Sequence, residues 1–315
     1  MATAKPLPEE LAARSFTISE GRLSGISPWR AKAKDIHVPS RGIRVPVGPQ
    51  QSLLERVRPY TELGTPDTVS YYSAAAVHAF KLPGSLAEGR STTRSGLLDL
   101  TRAGSAAPRR KGVVGHRAML EPADIVIVQG VPVTSIFRTL LDLAGTGALT
   151  LEDLVVIADD LVCEHVRYLH PRTARMTLEE LQRYAGSRRP VAGLRLLRKS
   201  LGLVRVGVDS PPETRLRLLF GRSGLPAFEP NYVLLDEQGT PLWIDLACPE
   251  FRLAVEYDGG HHLTPEQQLA DALRNERTVG AGWRQLVINK LDVRSGDDWV
   301  LTRVRRALRG QGWSG

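Results

Sequence analysis

WIDLACPEFRLAVEYDGGHH, Trp243 to His262, decides how the C-terminal part of this chain is read. Two strand-like runs flank a turn at Pro249-Glu250. Side chains alternate between the faces of a strand, so Glu256 and Asp258 share one face while Leu253, Val255 and Tyr257 share the other. Asp245 interrupts the first run in the same way. Carboxylates on neighbouring strands repel, and burial without a partner costs roughly 2–7 kcal/mol even for a neutral polar group. Acids gathered among Val, Ile, Leu and Ala therefore call for a compensating charge. Mg²⁺, which takes hard oxygen ligands, is the most economical one. A solvated sheet edge, or pairing with the many arginines, would produce the same alternation.

Upstream of this stretch, Asp209-Ser210-Pro211-Pro212 opens a helix, ETRLRLLFGRSG. Ser210 can cap it, prolines suit its first turn, and Glu213 then sits near the positive end of the helix dipole. A strand is expected from Asn231 to Leu235, then a turn at Glu237-Gln238-Gly239. Downstream, PEQQLADALRNERTVGAGW reads as a helix bearing Asp271, Arg274 and Arg277, and RQLVINK as a strand. In the last helix, DDWVLTRVRRALRGQGW, Val300, Val304 and Leu308 can face a core. The expected order is α-β-β-β-α-β-α, that of a restriction-endonuclease-like α/β/α core with a mixed sheet.

Between residues 205 and 312, DLACPEFRLAVEYDGGHH, DALRNER and GWRQLVINKLDV follow one another in an order that resembles the very-short-patch-repair-related endonuclease domain of unknown function. That family belongs to the PD-(D/E)XK nuclease superfamily. The resemblance implies that Asp245 and Glu256 bind Mg²⁺, with Glu213 as the first-helix acid that completes the site. Asp258 stands where the superfamily has lysine and cannot supply its charge. The repair branch, which also lacks that lysine, uses histidine nearby. The resemblance thus makes His262, ahead of His261, the proton-transfer residue, since histidine titrates near neutral pH. Gly259-Gly260 would admit a close backbone approach. Arg274 would clamp a phosphate or orient Asp258 or Glu256.

The first segment, to about residue 48, is compact and basic. TISEGRLSGISPWRAKAKDIHVPSRGIRVPV predicts helix, turn, helix and hairpin, with Ser27 capping the second helix and Pro39-Ser40-Arg41-Gly42 turning the hairpin. This is winged-helix order. Arg30, Lys32 and Lys34 on the second helix, with Arg41 at the wing tip, are candidate DNA contacts, and Arg22 and Arg44 lie nearby. The stretches FTISEGRLSGISPWRAKAKDIHVPSRGIRVP, SAAAVHAFKLP and GVPVTSIFRTLLDLA resemble actinobacterial proteins with an AbiEi-type antitoxin N-terminal domain. The resemblance implies a DNA-binding winged helix followed by a mixed region.

Three domains are expected in this α+β multidomain chain: 1–48 winged helix, 49–204 mixed α/β and then helical, and 205–315 nuclease-like. In the middle region a loop rich in Gly, Ser and Arg is expected from Pro83 to Gly112, a turn at Gln129-Gly130, and an amphipathic helix ending at Gly145. Asp159-Asp160 reads as the solvated face of a helix, and His78 and His116 as structural.

The 315 residues carry a formal charge of +8, mostly through arginine. That balance favours a polyanionic partner. Two distant cysteines, Cys163 and Cys248, form neither a disulfide framework nor a zinc motif, which points to a reducing cytoplasm. No apolar run suits a signal peptide or a membrane span, and no organic cofactor is expected. The expected activity is Mg²⁺-dependent DNA hydrolysis, with duplex DNA as partner. The alternative is a DNA-binding regulator or antitoxin-like protein with a degenerate nuclease core; an RNA-directed nuclease shares the same phosphate chemistry. No residue pattern names a protein partner.

Overall fold

The computed structural model describes residues 5–48, 51–84, 97–104, 106–167, 171–259 and 265–315. The fold is mixed α/β, with 12 helices and three sheets among the described residues. Two compact units divide it: Met1–Leu149 with Arg188–Leu197, and Thr150–Ser187 with Arg198–Gly315. None of the described helices is long and apolar enough to cross a membrane.

The first unit begins with α1 (Glu9–Ala12), β1 (Phe16–Thr17), α2 (Ile18–Leu23), β2 (Ile36–His37) and β3 (Ile43–Pro46). The strands form an antiparallel sheet in the order β1-β3-β2, over a small core of Leu11, Phe16, Ile26, Ala31 and Ile36. The hairpin turns at Gly42, whose φ of +89° suits glycine. The helix expected from Ser27 is shorter than its capping signals imply. It is a single 3₁₀ turn, Arg30–Lys32, and the backbone is extended again at Ala33. Only Arg30 and Ala31 of that turn are buried, so the segment lacks the apolar stripe that would carry a longer helix.

The same unit continues through α3 (Leu53–Thr61), β4 (Thr68–Val69), α4 (Tyr71–Val77), β5 (Leu98–Ala103), β6 (Val113–Ala118), β7 (Ile125–Val128), β8 (Val131–Thr134) and α5 (Ile136–Ala144). The five strands run in the order β6-β5-β4-β8-β7. β5 lies within the stretch expected to be a loop. Its Leu98, Asp99, Leu100 and Thr101 are all buried, so no alternation betrays it as a strand. Gln129 and Gly130, with φ of +49° and +80°, make the expected two-residue turn between β7 and β8.

The second unit contains α6 (Leu151–Val162), α7 (Leu178–Ser187) and, beyond α8 (Leu194–Leu201), the helix α9 (Pro211–Arg222). Then follow β9 (Glu229–Leu235), β10 (Pro241–Cys248), β11 (Leu253–Asp258), α10 (Pro265–Gly280), β12 (Arg284–Asn289), α11 (Lys290–Arg294) and α12 (Asp297–Arg309). The short α11 was not anticipated. Asn289 caps it reciprocally with Asp292, which turns the chain between β12 and α12. The sheet order is β12-β11-β10-β9, with β11 and β12 parallel and the other pairs antiparallel. One core gathers Leu216 and Phe220 of α9, Leu246, Val255 and Ile288 of the sheet, and Val304 and Leu308 of α12. A second gathers Ile244, Ala247, Ala254 and Trp283.

Asp159 and Asp160 correct the expectation of a solvated face. Asp159 is only 1% exposed; it accepts hydrogen bonds from Arg217 (2.8 Å), Thr214 Oγ1 (2.8 Å) and the Arg205 N–H (2.9 Å). Asp160 pairs with Arg172 and Arg175. These partners lie far away in sequence, where helical periodicity does not reach.

Candidate metal and phosphate site

The site begins where the strand ladder opens. β10 pairs with β11 from Cys248↔Leu253 to Leu246↔Val255; one step further along that register, Asp245 faces Glu256. Toward β9 the pairs Ile244↔Tyr232 and Leu246↔Pro230 bracket Asp245 and Asn231. At this opening Asp245 Oδ2 accepts the backbone N–H of Tyr257 at 3.0 Å, so the side chain serves a donor beyond the last ladder pair. Alternation places Asp245, Glu256 and Asp258 on one face, and the parallel pairing of β12 adds Gln285 and Val287 to it.

That face forms part of a cleft of about 590 Å³ lined by Glu213, Asp245, Glu256, Asp258, Arg274 and Gln285, among others. Burial pushes the Glu256 carboxyl well up, and the adjoining Asp245 charge pushes it further, against the opposing pull of Arg274. Arg274, on α10, donates to Glu256 Oε1 at 3.0 Å and to the Trp243 carbonyl, so it orients the acid and holds it to the sheet. Glu213 is pushed up to about 7, chiefly by burial and then by Asp245. Its carboxylate accepts from Ser210 Oγ at 2.6 Å and from the Asp209 N–H at 3.1 Å, while Ser210 also caps α9.

Two clusters of ligating side chains in this unit compete as cation sites, and their chemistry separates them. Cys163, His165 and Asp209 bring their ligand atoms within 4.8 Å of one another, which Glu213, Asp245 and Glu256 do not all do. Yet Asp209 Oδ1 already accepts from His165 Nε2 (2.8 Å), the Cys163 thiol (3.4 Å) and Arg172 Nη1 (3.2 Å), and Arg167 Nη1 stands 3.1 Å from Oδ2. Two guanidinium groups repel a cation there. Burial also pushes the Cys163 thiol up to about 12. The Asp245–Glu256 pair differs. Its repulsion is incompletely neutralised, and Gln285 Oε1 is a buried oxygen of the same cleft with no hydrogen-bond partner. Two carboxylates and an amide oxygen are hard donors that suit Mg²⁺.

Of the residues singled out in the sequence, Glu213, Asp245, Glu256, Asp258 and Arg274 line this one cleft. His261 and His262, with Gly260, lie outside the described residues. In the first unit Lys32, Lys34 and Arg41 are exposed. Arg30 corrects the expectation of a surface contact. It is 7% exposed, donates to both Asp35 oxygens at 2.8 and 2.7 Å, and also binds the Lys5 carbonyl. Arg44 is likewise buried, its guanidinium spent on the Ala31 and Ile43 carbonyls. Sequence reasoning missed Gln285, which strand parity would have placed once the parallel pairing was known. It also missed Arg167, Asp209 and Asn231, for which no local pattern gives a signal.

Two curated relatives match this chain, both uncharacterized proteins of Mycobacterium tuberculosis, one from strain CDC 1551 / Oshkosh and one from strain ATCC 25618 / H37Rv. Each is 28% identical over 138 residues, or 44% of this chain and 51% of the relative. The match thus spans about half the length of either relative. No family model matches the chain, and no solved structure matches it significantly.

Proposed function

We propose that this chain is a Mg²⁺-dependent endonuclease that hydrolyses phosphodiester bonds of DNA. One observation carries the reading: Asp245 and Glu256 adjoin in an open cleft, at a repulsive cost that a divalent cation relieves. The four-stranded mixed sheet, packed on α9 and α12, supports the restriction-endonuclease-like core that the motif resemblance implies. Asp245 and Glu256 would hold the ion, in a cleft that Gln285 also lines. Mg²⁺, when bound, supplies positive charge at the phosphate and acidity for the attacking water. Glu213, pushed up to about 7, is suited to exchange a proton near neutral pH. Arg274 keeps Glu256 in place, and the resemblance gives His262 a share in proton transfer.

The first unit supports a DNA-directed reading. The order α1-β1-α2-3₁₀-β2-β3, with its antiparallel β1-β3-β2 sheet, agrees with a winged helix whose recognition helix is cut to one 3₁₀ turn, and Lys32, Lys34 and Arg41 are exposed on it for phosphate contact. Two buried, free cysteines agree with a reducing cytoplasm. A second reading, a DNA-binding regulator with a degenerate nuclease core, is favoured by Asp258 at the position the superfamily gives to lysine.

Cleavage of duplex, mismatched, nicked and single-stranded DNA in Mg²⁺ separates the two. The nuclease reading expects cleavage that EDTA abolishes and that Asp245→Ala and Glu256→Ala each lower by at least about 10³-fold, the scale of losing a principal electrostatic group. Cleavage that survives either substitution sinks it. Duplex binding without any cleavage supports the regulator.

A further inference from the structure

We propose that Arg167 is a catalytic residue, a preset cation that binds the substrate phosphate beside Asp245. The proposal rests on the nuclease reading above. Five acids line the cleft, Glu213, Asp245, Glu256, Asp258 and Asp271, and its lining arginine, Arg274, is tied to Glu256. A phosphodiester is itself an anion. Binding it requires positive charge from the protein as well as from a metal ion.

Arg167 follows α6, far from the cleft in sequence, yet its Nη2 lies 3.9 Å from Asp245 Oδ1. Two anchors set it. Nε and Nη2 donate to Asn231 Oδ1 at 2.9 and 2.6 Å, and Nη1 pairs with Asp209 Oδ2 at 3.1 Å. Both anchors are themselves fixed. Asp209 also holds His165 and Arg172. Asn231 adopts a left-handed φ of +49°, which asparagine tolerates better than other residues with a side chain. It is packed so closely under Gly207 that a Cβ there would come within 3.1 Å of Asn231 Cβ.

These contacts use three of the five N–H donors that a guanidinium carries, which leaves one each on Nη1 and Nη2. The side chain is 21% exposed, so an anion can reach it. At 3.9 Å from Asp245 it stops short of a hydrogen-bonded ion pair. A planar, permanently charged fork held from two sides, with donors to spare beside a carboxylate pair, is preorganised for a phosphate. Arg172 is no substitute, because Asp160 and Asp209 occupy it.

The test pairs binding with cleavage. Binding of a fluorescent duplex is followed by anisotropy in Ca²⁺ at a series of salt concentrations, and single-turnover cleavage is measured in Mg²⁺. Arg167→Gln should reduce the slope of log K against log salt by about one and lower the cleavage rate about 10²–10³-fold. Arg167→Lys should keep the slope but cleave at least about 10-fold more slowly, since a point charge lacks the fork geometry. An unchanged slope in Arg167→Gln overturns the assignment, whatever its cleavage rate. Should that variant not fold, wild-type cleavage by Arg167→Lys overturns it instead. A reduced slope in a protein whose wild type never cleaves defeats the nuclease reading and keeps Arg167 as a phosphate contact. Absence of duplex binding by the wild type defeats both.

Discussion

In the first unit, Asp124 is completely buried but held by Arg188 at 2.6 Å and by Arg138 at 3.5 Å, and it caps the backbone N–H of Glu121. In the second unit, Asp245 and Glu256 adjoin in the lining of a cleft, where Arg274 donates to Glu256 and Arg167 stands 3.9 Å from Asp245. Both are acids in an apolar setting. Asp124 is a structural knot, because Arg188 donates to both of its oxygens and Oδ2 also accepts a backbone N–H. The pair in the cleft keeps a Glu256 carboxyl pushed up by burial and by Asp245 despite Arg274, and it shares the cleft with an unpartnered buried oxygen, Gln285 Oε1. Burial of an acid therefore does not define a site; residual demand for positive charge does.

Substitutions that neutralise one acid in each unit should act in opposite directions, which is the most direct way to break this contrast. Asp124→Ala removes the carboxylate to which Arg188 donates twice and should destabilise the first unit by about 3–5 kcal/mol, read from denaturant unfolding. Glu256→Gln removes a carboxyl that burial and Asp245 push up, so it should raise the thermal midpoint of the second unit, by roughly 2–4 °C for about 1 kcal/mol. It should do so while abolishing cleavage. A lower midpoint for Glu256→Gln, or an unchanged one for Asp124→Ala, removes the distinction.

A pH series sharpens the same comparison inside the first unit. Asp142 accepts from Arg138 Nε at 2.8 Å, but its Oδ2 is buried without a partner, and burial pushes the carboxyl up to about 6. Between the unfolded value of 3.8 and about 6 the folded form binds the extra proton. Its contribution is thus fully present below 3.8 and is lost as pH rises through about 6, at most about 3 kcal/mol. Asp142→Asn should flatten that part of the stability profile relative to wild type. Equal slopes in the two proteins would contradict the assignment.

The smallest effect is expected at the basic surface of the first unit. Lys32→Ala and Arg41→Ala should each weaken duplex binding only a few-fold, alike for every sequence, and each should lower the salt slope by about one. Arg30→Ala should instead show its loss in stability, because its guanidinium is held by Asp35 and the Lys5 carbonyl. A large, sequence-selective loss at Lys32 would make that residue a base reader rather than a phosphate contact.

Much of the second unit was legible from local patterns. The turn at Pro249-Glu250, the cap at Ser210, the alternation of β11 and the apolar stripe of α12 all follow from side-chain period and backbone preference. β5 escaped because both of its faces are buried, and Asp159 was misread because Arg217, its partner, belongs to another helix. The expected recognition helix failed for a related reason: caps can start a helix, but without an apolar stripe nothing extends it.

By itself, the sequence determined that Glu256 and Asp258 share a strand face and that Glu213 opens a helix, since period and capping act over a few residues; the register of β10 on β11 then brought Asp245 opposite Glu256. Only the tertiary structure decided which charges meet those acids. It tied Arg274 to Glu256, buried Arg30 against Asp35, put Gln285 in the lining of the acids' cleft, and brought Arg167 to within 3.9 Å of Asp245. Such pairings depend on where distant segments stop in space, and a side chain's own neighbours in the chain carry no record of that.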